Sequence, residues 1–123
     1  MKPIRVLLVE DNEAYRDSLA FLLGRREGIE VTGAVATGEE AAAAVEEQNV
    51  DVAVVDIRLP GIGGADAAEA IRRRAPRASV VFLSASAGDE EREAARALGV
   101  ALVQKDEGIQ SLERAIRSAH ERA

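Results

Sequence analysis

The sequence predicts an α/β domain: a parallel β-sheet covered by helices on both faces. Three observations point there. Strand-like and helix-like segments alternate five times with short connections, the pattern that builds parallel sheets. The run Val50-Asp51-Val52-Ala53-Val54-Val55 has five apolar residues in six, four of them valine, which suits a strand buried on both faces. That run ends on Asp56, and Pro60-Gly61 with Gly63-Gly64 then makes a turn that cannot continue a strand. A charge at the mouth of a buried strand is costly unless something uses it. Ligands of open parallel sheets bind outside the carboxyl ends of the strands, so Asp56 stands where chemistry is expected. Its plainer alternative is a helix cap.

Each element has its own warrant. Ile4 to Val9 is a buried strand ending on Glu10-Asp11. Tyr15, Leu19, Leu22 and Leu23 then form one apolar helical stripe, with Arg25 and Arg26 suited to its negative end and Gly28 able to terminate it. Ile29 to Val35 is a weaker strand. Thr37-Gly38-Glu39-Glu40 has the spacing of a capping box and opens an alanine-rich helix to about Gln48. The valine strand and its loop lead to a helix from about Ala65 to Ala75, stopped by Pro76. Ser79 to Leu83 is a fourth strand, ending on Ser84-Ala85, and a helix from about Asp89 to Leu98 stops at Gly99. Val100 to Val103 makes a last strand ending near Lys105, and the closing helix carries Ile109, Leu112, Ile116 and Ala119 on one face.

Composition narrows the function. The 123 residues fit one domain with one core, taken as 1–123. With two Phe, one Tyr and no Trp, the core must be built from Val, Leu, Ile and Ala. The absence of Cys excludes disulfides and thiolate metal sites and is compatible with a cytoplasmic setting. Met1-Lys2-Pro3 runs directly into strand-like sequence without a signal-peptide pattern, and no apolar run is long enough for a membrane helix. A net charge of −6 argues against direct nucleic-acid binding; Arg72-Arg73-Arg74 is best explained as a solvated helix face. The lone histidine, His120, suits the C-terminus of the last helix as a surface residue.

Every strand but the second ends in a residue that can do chemistry: Glu10 and Asp11, then Asp56, then Ser84, then Lys105. All are expected at one edge of the sheet. Three carboxylates repel one another and resist ionisation unless a cation joins them, and Lys105 offsets only one, leaving about −2. Hard oxygen ligands of this kind suit Mg²⁺. Asp56 can then act as a nucleophile toward a phosphoryl group, with Lys105 and the Ser84 hydroxyl stabilising its oxygens. No G-x-x-x-x-G-K-[ST] nucleotide loop is present, so the phosphoryl group must come from another molecule.

These residues carry a resemblance. The acidic pair Glu10-Asp11, Asp56 in Asp-x-x-x-Pro-Gly-x-x-Gly, Ser84-Ala85 and Lys105 together resemble the receiver domain of bacterial two-component response regulators, end to end. The resemblance implies a flavodoxin-like sheet in 2-1-3-4-5 order and phosphorylation of Asp56 by a sensor histidine kinase or phosphotransfer protein, with Mg²⁺. It further implies that Asp11 and Asp56 touch the metal, Glu10 acts through water and the Arg58 backbone carbonyl completes the site. The side chains of Arg58 and Ser86 fall where the family tunes hydrolysis of the acyl phosphate. On this reading the domain is a switch for an output domain or partner protein and not a turnover enzyme; an effector domain beyond Ala123 and a homodimer are both left open.

Two positions depart from the pattern. The family places Tyr or Phe three residues before the lysine as a rotamer switch, and here that position is Leu102. Lysine is often followed by proline, whereas Asp106 follows Lys105, as in the subfamily joined to a LuxR-type helix-turn-helix. Two other readings compete with this one. A receiver-like interaction module working without phosphorylation has no need of all five site residues. A Mg²⁺-dependent phosphatase usually needs a second carboxylate two residues past the nucleophile, where this chain has Arg58.

Overall fold

The structure is a computed structural model describing residues 2–86 and 88–122. The chain runs β1 (Ile4–Val9), α1 (Glu13–Gly24), β2 (Ile29–Val35), α2 (Gly38–Glu47), β3 (Val52–Asp56), α3 (Gly63–Arg74), β4 (Ser79–Ser84), α4 (Asp89–Leu98), β5 (Ala101–Gln104), a 3₁₀ turn (Lys105–Glu107) and α5 (Ile109–Glu121). All strand pairs are parallel, in the order β2-β1-β3-β4-β5. This is the five-stranded flavodoxin-like order that the resemblance implied.

Alternation along the strands sorts the apolar side chains into two cores. Leu7, Val9, Val55 and Phe82 pack with the alanines of α2 and α3 and with Ala95 of α4. Val6, Leu8, Val54 and Leu83 pack with Leu19 and Leu23 of α1 and Leu112 and Ile116 of α5. Small residues let α2 and α3 lie close to the sheet, which is how a chain with so few aromatics fills its interior. All five residues of β3 are buried, as expected of a central parallel strand.

Helix ends follow the sequence signals with one exception. Thr37 caps α2 by accepting from the Glu40 N–H at 3.1 Å, while the Glu40 carboxylate turns back to the Ala36 N–H at 3.2 Å. Gly99, in the left-handed region at φ 67°, ends α4 as expected. By contrast α1 ends at Gly24 rather than running on to Gly28. Gly28 instead takes a positive φ in the turn that sets Ile29 beside Ile4, with the Ile4 N–H donating to the Gly28 carbonyl at 2.8 Å. The stripe on α1 is also narrower than its spacing suggested. Leu19 and Leu23 are buried and Tyr15 half-buried, but Leu22 is 47% exposed at the rim of the α1–α5 groove.

Gly64 fixes the start of α3 against the end of β3. A Cβ at this position would lie 2.4 Å from the Ile57 Cα and 2.6 Å from the Asp56 carbonyl oxygen, both backbone atoms with no rotamer to yield. Gly64→Ala is therefore expected to destabilise the domain by about 1–3 kcal/mol. A thermal melt checks this, with a fall in Tm of roughly 5–10 °C as the expected outcome.

Candidate functional site

The site lies at the carboxyl edge of the sheet, where β1, β3 and β5 end. Strand alternation continues the Val52–Val54 row into Asp56 and the Val6–Leu8 row into Glu10, so both carboxylates project from the face covered by α1 and α5. Lys105, just past β5, reaches both: its Nζ is 2.7 Å from Glu10 Oε1 and 3.1 Å from Asp56 Oδ2. The Tyr15 ring of α1 lies on its other side, 4.5 Å from Nζ to centroid, in a cation–π contact. Backbone amides hold the remaining carboxylate oxygens: the Asn12 N–H donates to Glu10 Oε2 at 3.0 Å and the Arg58 N–H to Asp56 Oδ1 at 2.9 Å.

Electrostatics follow from this packing. Burial pushes the Glu10 carboxyl above its usual range, and the neighbouring Asp56 adds to that against the opposing pull of Lys105 and the Asn12 N–H. Burial disfavours the charged form of Lys105, but Glu10 and Asp56 outweigh it and raise the ammonium above its ordinary value. That lysine is accordingly a fixed cation throughout the neutral range, and its stabilising contribution is lost only as pH rises through the raised value.

Asp11 is exposed at the mouth. One oxygen from each of Glu10, Asp11 and Asp56 lies within 4.8 Å of the others. Glu10 Oε1 is buried, with the Lys105 ammonium 2.7 Å away as its partner. Three hard oxygen donors around one point, with a single ammonium to offset their charge, fit a small divalent cation such as Mg²⁺.

Ser84 ends β4 at the same edge of the sheet, but its side chain faces the other way. It is fully buried, but alternation puts it on the Val80–Phe82 row, the opposite face from Asp56. Its hydroxyl donates to the Ser86 carbonyl and accepts the Ser86 N–H at 3.3 Å, so Ser86 meets Ser84 through its backbone. Leu102 is half-buried against the Phe82 core. Arg58 projects outward and pairs with Glu91 of α4.

Glu91 was not singled out in the sequence, although among the described residues it joins Glu10, Asp56 and Ser84 as a buried polar side chain. The only signal was its place three residues after Gly88, whose N–H its Oε1 accepts at 2.9 Å. In the run Asp89-Glu90-Glu91, nothing in the sequence tells which carboxylate turns inward.

Fold and site together define a class, the phosphoacceptor signalling domain of two-component systems. The response regulator receiver domain model matches residues 6–117, and the chain belongs to that family. It is 38% identical over 112 residues to protein-glutamate methylesterase/protein-glutamine glutaminase 2 of Paramagnetospirillum magneticum, covering 88% of this chain but only 32% of that protein. A CheY-like response regulator receiver domain protein from Methanospirillum hungatei superposes with TM-score 0.85 at 27% identity, covering 98% of this chain and 96% of that one. A two-component response regulator of the LuxR family from Aurantimonas superposes with TM-score 0.83 at 28% identity, covering 95% of this chain and 87% of that one. Receiver domains work as phosphoacceptor switches between histidine kinases and outputs, bind Mg²⁺ at an acidic pocket, and are not themselves enzymes acting on a separate substrate.

Proposed function

We propose that this domain takes a phosphoryl group on Asp56 from a sensor histidine kinase or phosphotransfer protein, with Mg²⁺, and passes the change to an output domain or partner. The carrying observation is Lys105 Nζ standing between Glu10 and Asp56 while Asp11 lies within reach of both carboxylates. An Asp56 carboxylate oxygen attacks phosphorus, forming the new P–O bond as the bond to the donor breaks. The donor nitrogen of a phosphohistidine leaves with the bonding pair and takes up a proton. Lys105 is placed to receive the charge on the phosphoryl oxygens, and the Arg58 N–H holds the second carboxylate oxygen. Glu10, Asp11, Asp56 and the Arg58 carbonyl would hold Mg²⁺, which supplies Lewis-acid stabilisation of the phosphoryl oxygens. Ser84 must turn from Ser86 to donate to the same oxygens.

The LuxR-family neighbour agrees with the lineage that Asp106 after Lys105 suggests, and the chain spans about a third of the methylesterase relative, so control of an output domain in a longer protein, with a cytoplasmic setting as in the family, belongs to this reading. No helix among the described residues is long and apolar enough to cross a membrane. Incubation with acetyl phosphate and Mg²⁺, followed by intact mass, tests the reading. One added phosphoryl group is expected; no adduct supports a module working without phosphorylation, and turnover of added phosphomonoesters a phosphatase.

The metal set makes a graded prediction. Asp11→Ala removes an exposed ligand and is expected to weaken Mg²⁺ binding at least about tenfold. The sequence alone suggested that removing either Glu10 or Asp11 relieves repulsion and stabilises the metal-free domain. Because Glu10 is held by Lys105 and Asn12, the gain is now expected for Asp11→Ala only, and Glu10→Ala should lower Tm. Melts with and without Mg²⁺ check both parts.

A further inference from the structure

We infer that Glu91 is a positioning residue of the phosphoryl site, acting through Arg58, and that the exchange of Arg58 between Glu91 and the phosphoryl group carries the state of Asp56 to α4. The inference rests on the phosphoacceptor reading above. The two ends of the Arg58–Glu91 pair are unequal. The Arg58 side chain is 63% exposed and rehydrates readily on leaving, whereas the Glu91 side chain is 8% exposed. Glu91 uses one oxygen for Arg58 and the other for the Gly88 N–H that opens α4. Without Arg58, a buried carboxylate keeps a single amide partner, a costly state that the first turn of α4 relieves by opening to water.

Phosphorylation creates the competitor. The Arg58 N–H already donates to Asp56 Oδ1, so the residue that carries the guanidinium is seated against the acceptor carboxylate. A phosphoryl group there brings close to two negative charges and three acceptor oxygens, against one charge on Glu91, and a guanidinium prefers the bidentate phosphate geometry. Arg58 is therefore shared between Glu91 and the phosphoryl group, covering the phosphoryl group from water and stranding Glu91 for the part of the time that it spends there. This gives a route to α4 that needs no aromatic at position 102, where Leu102 has neither ring nor hydroxyl. Coupling is reciprocal: whatever engages the first turn of α4 and satisfies Glu91 also releases Arg58 and lengthens the life of the acyl phosphate.

The test uses Glu91→Gln, which keeps shape and an acceptor for the Gly88 N–H while removing the charge, together with Arg58→Ala and the double variant. Each protein is phosphorylated with acetyl phosphate and Mg²⁺, the donor is removed, and acyl-phosphate decay is followed by intact mass. Glu91→Gln is expected to slow decay about three- to tenfold and Arg58→Ala to speed it; the double variant should match Arg58→Ala, because Glu91 acts only through the arginine. Amide exchange supplies a readout independent of decay. In metal-free, unphosphorylated protein Arg58→Ala should raise exchange at 88–92 whereas Glu91→Gln, which leaves no stranded charge, should not, and in Arg58→Ala phosphorylation should no longer change it there. A Glu91→Gln decay within about twofold of wild type, or an equal effect of Glu91→Gln with and without Arg58, overturns the inference while leaving the phosphoacceptor reading standing. If the wild-type protein takes no phosphoryl group, the phosphoacceptor reading falls and the inference with it.

Discussion

Asp56→Asn is expected to leave the domain folded and to abolish labelling by acetyl phosphate with Mg²⁺. The amide keeps the shape of a side chain that is almost wholly buried, and its carbonyl oxygen can still accept the Arg58 N–H. It cannot supply the anionic oxygen that attacks phosphorus. Loss of the charge also removes a repulsion from Glu10, which Lys105 then serves alone. The melt should therefore not fall by more than a few degrees, while intact mass should show no adduct. A folded Asp56→Asn protein that labels as well as wild type would move the nucleophile elsewhere.

Lys105→Met is expected to have the largest effect on stability. One ammonium serves two buried carboxylates, and methionine fills its volume without its charge. Removing one partner of a covered ion pair leaves an uncompensated charge, and this lysine is partly exposed, so the cost is about 2–4 kcal/mol. Three conditions separate that cause from simple loss of packing. Millimolar Mg²⁺ should restore more stability to the variant than it adds to wild type, because a cation then takes the place of the ammonium. Acidification should also narrow the gap. Glu10 has its pKa raised above 4.5 in the folded state, so the folded protein binds this proton more tightly than the unfolded chain. Its contribution is thus favourable below 4.5 and is lost as pH rises through the raised value; the loss is greater without Lys105. The labelling rate should fall as well, since the phosphoryl oxygens lose a cation. A Tm difference insensitive to both Mg²⁺ and pH would assign Lys105 a packing role.

Much of this architecture was legible because several signals coincide. The valine run of β3 has no polar position until Asp56, so its burial and its end are marked by the same residue. Glu10, Asp56 and Lys105 were legible as a group because each follows an apolar strand, and parallel strands bring their ends to one edge. The strand order was not: periodicity marks a strand but not its neighbours, and 2-1-3-4-5 came with the family resemblance. Side-chain direction at strand ends was also out of reach. Ser84 faces the Phe82 side because of the register in which β4 pairs with β3, and a one-residue change in that register would turn it to the Asp56 side. The reach of α1 was overestimated because Leu22 continues the apolar spacing, and only the position of α5 shows that it stays at the rim. Glu91 was hidden for a different reason. An acidic first turn is an ordinary helix-start feature, so its sequence is explained before the ion pair with Arg58 is known.

The central claim is that Asp56 itself becomes the acyl phosphate. Borohydride reduces an acyl phosphate at an aspartate to the alcohol, converting that residue to homoserine, whereas free carboxylates are untouched. Phosphorylation with acetyl phosphate and Mg²⁺, borohydride reduction and peptide sequencing by mass therefore read the acceptor directly. Homoserine at position 56, present only when both reagents were supplied, is the predicted result. Homoserine at 11 or 5-hydroxynorvaline, the corresponding alcohol from glutamate, at 10 instead, or no reduced residue anywhere in a protein that had gained the phosphoryl mass, would contradict it.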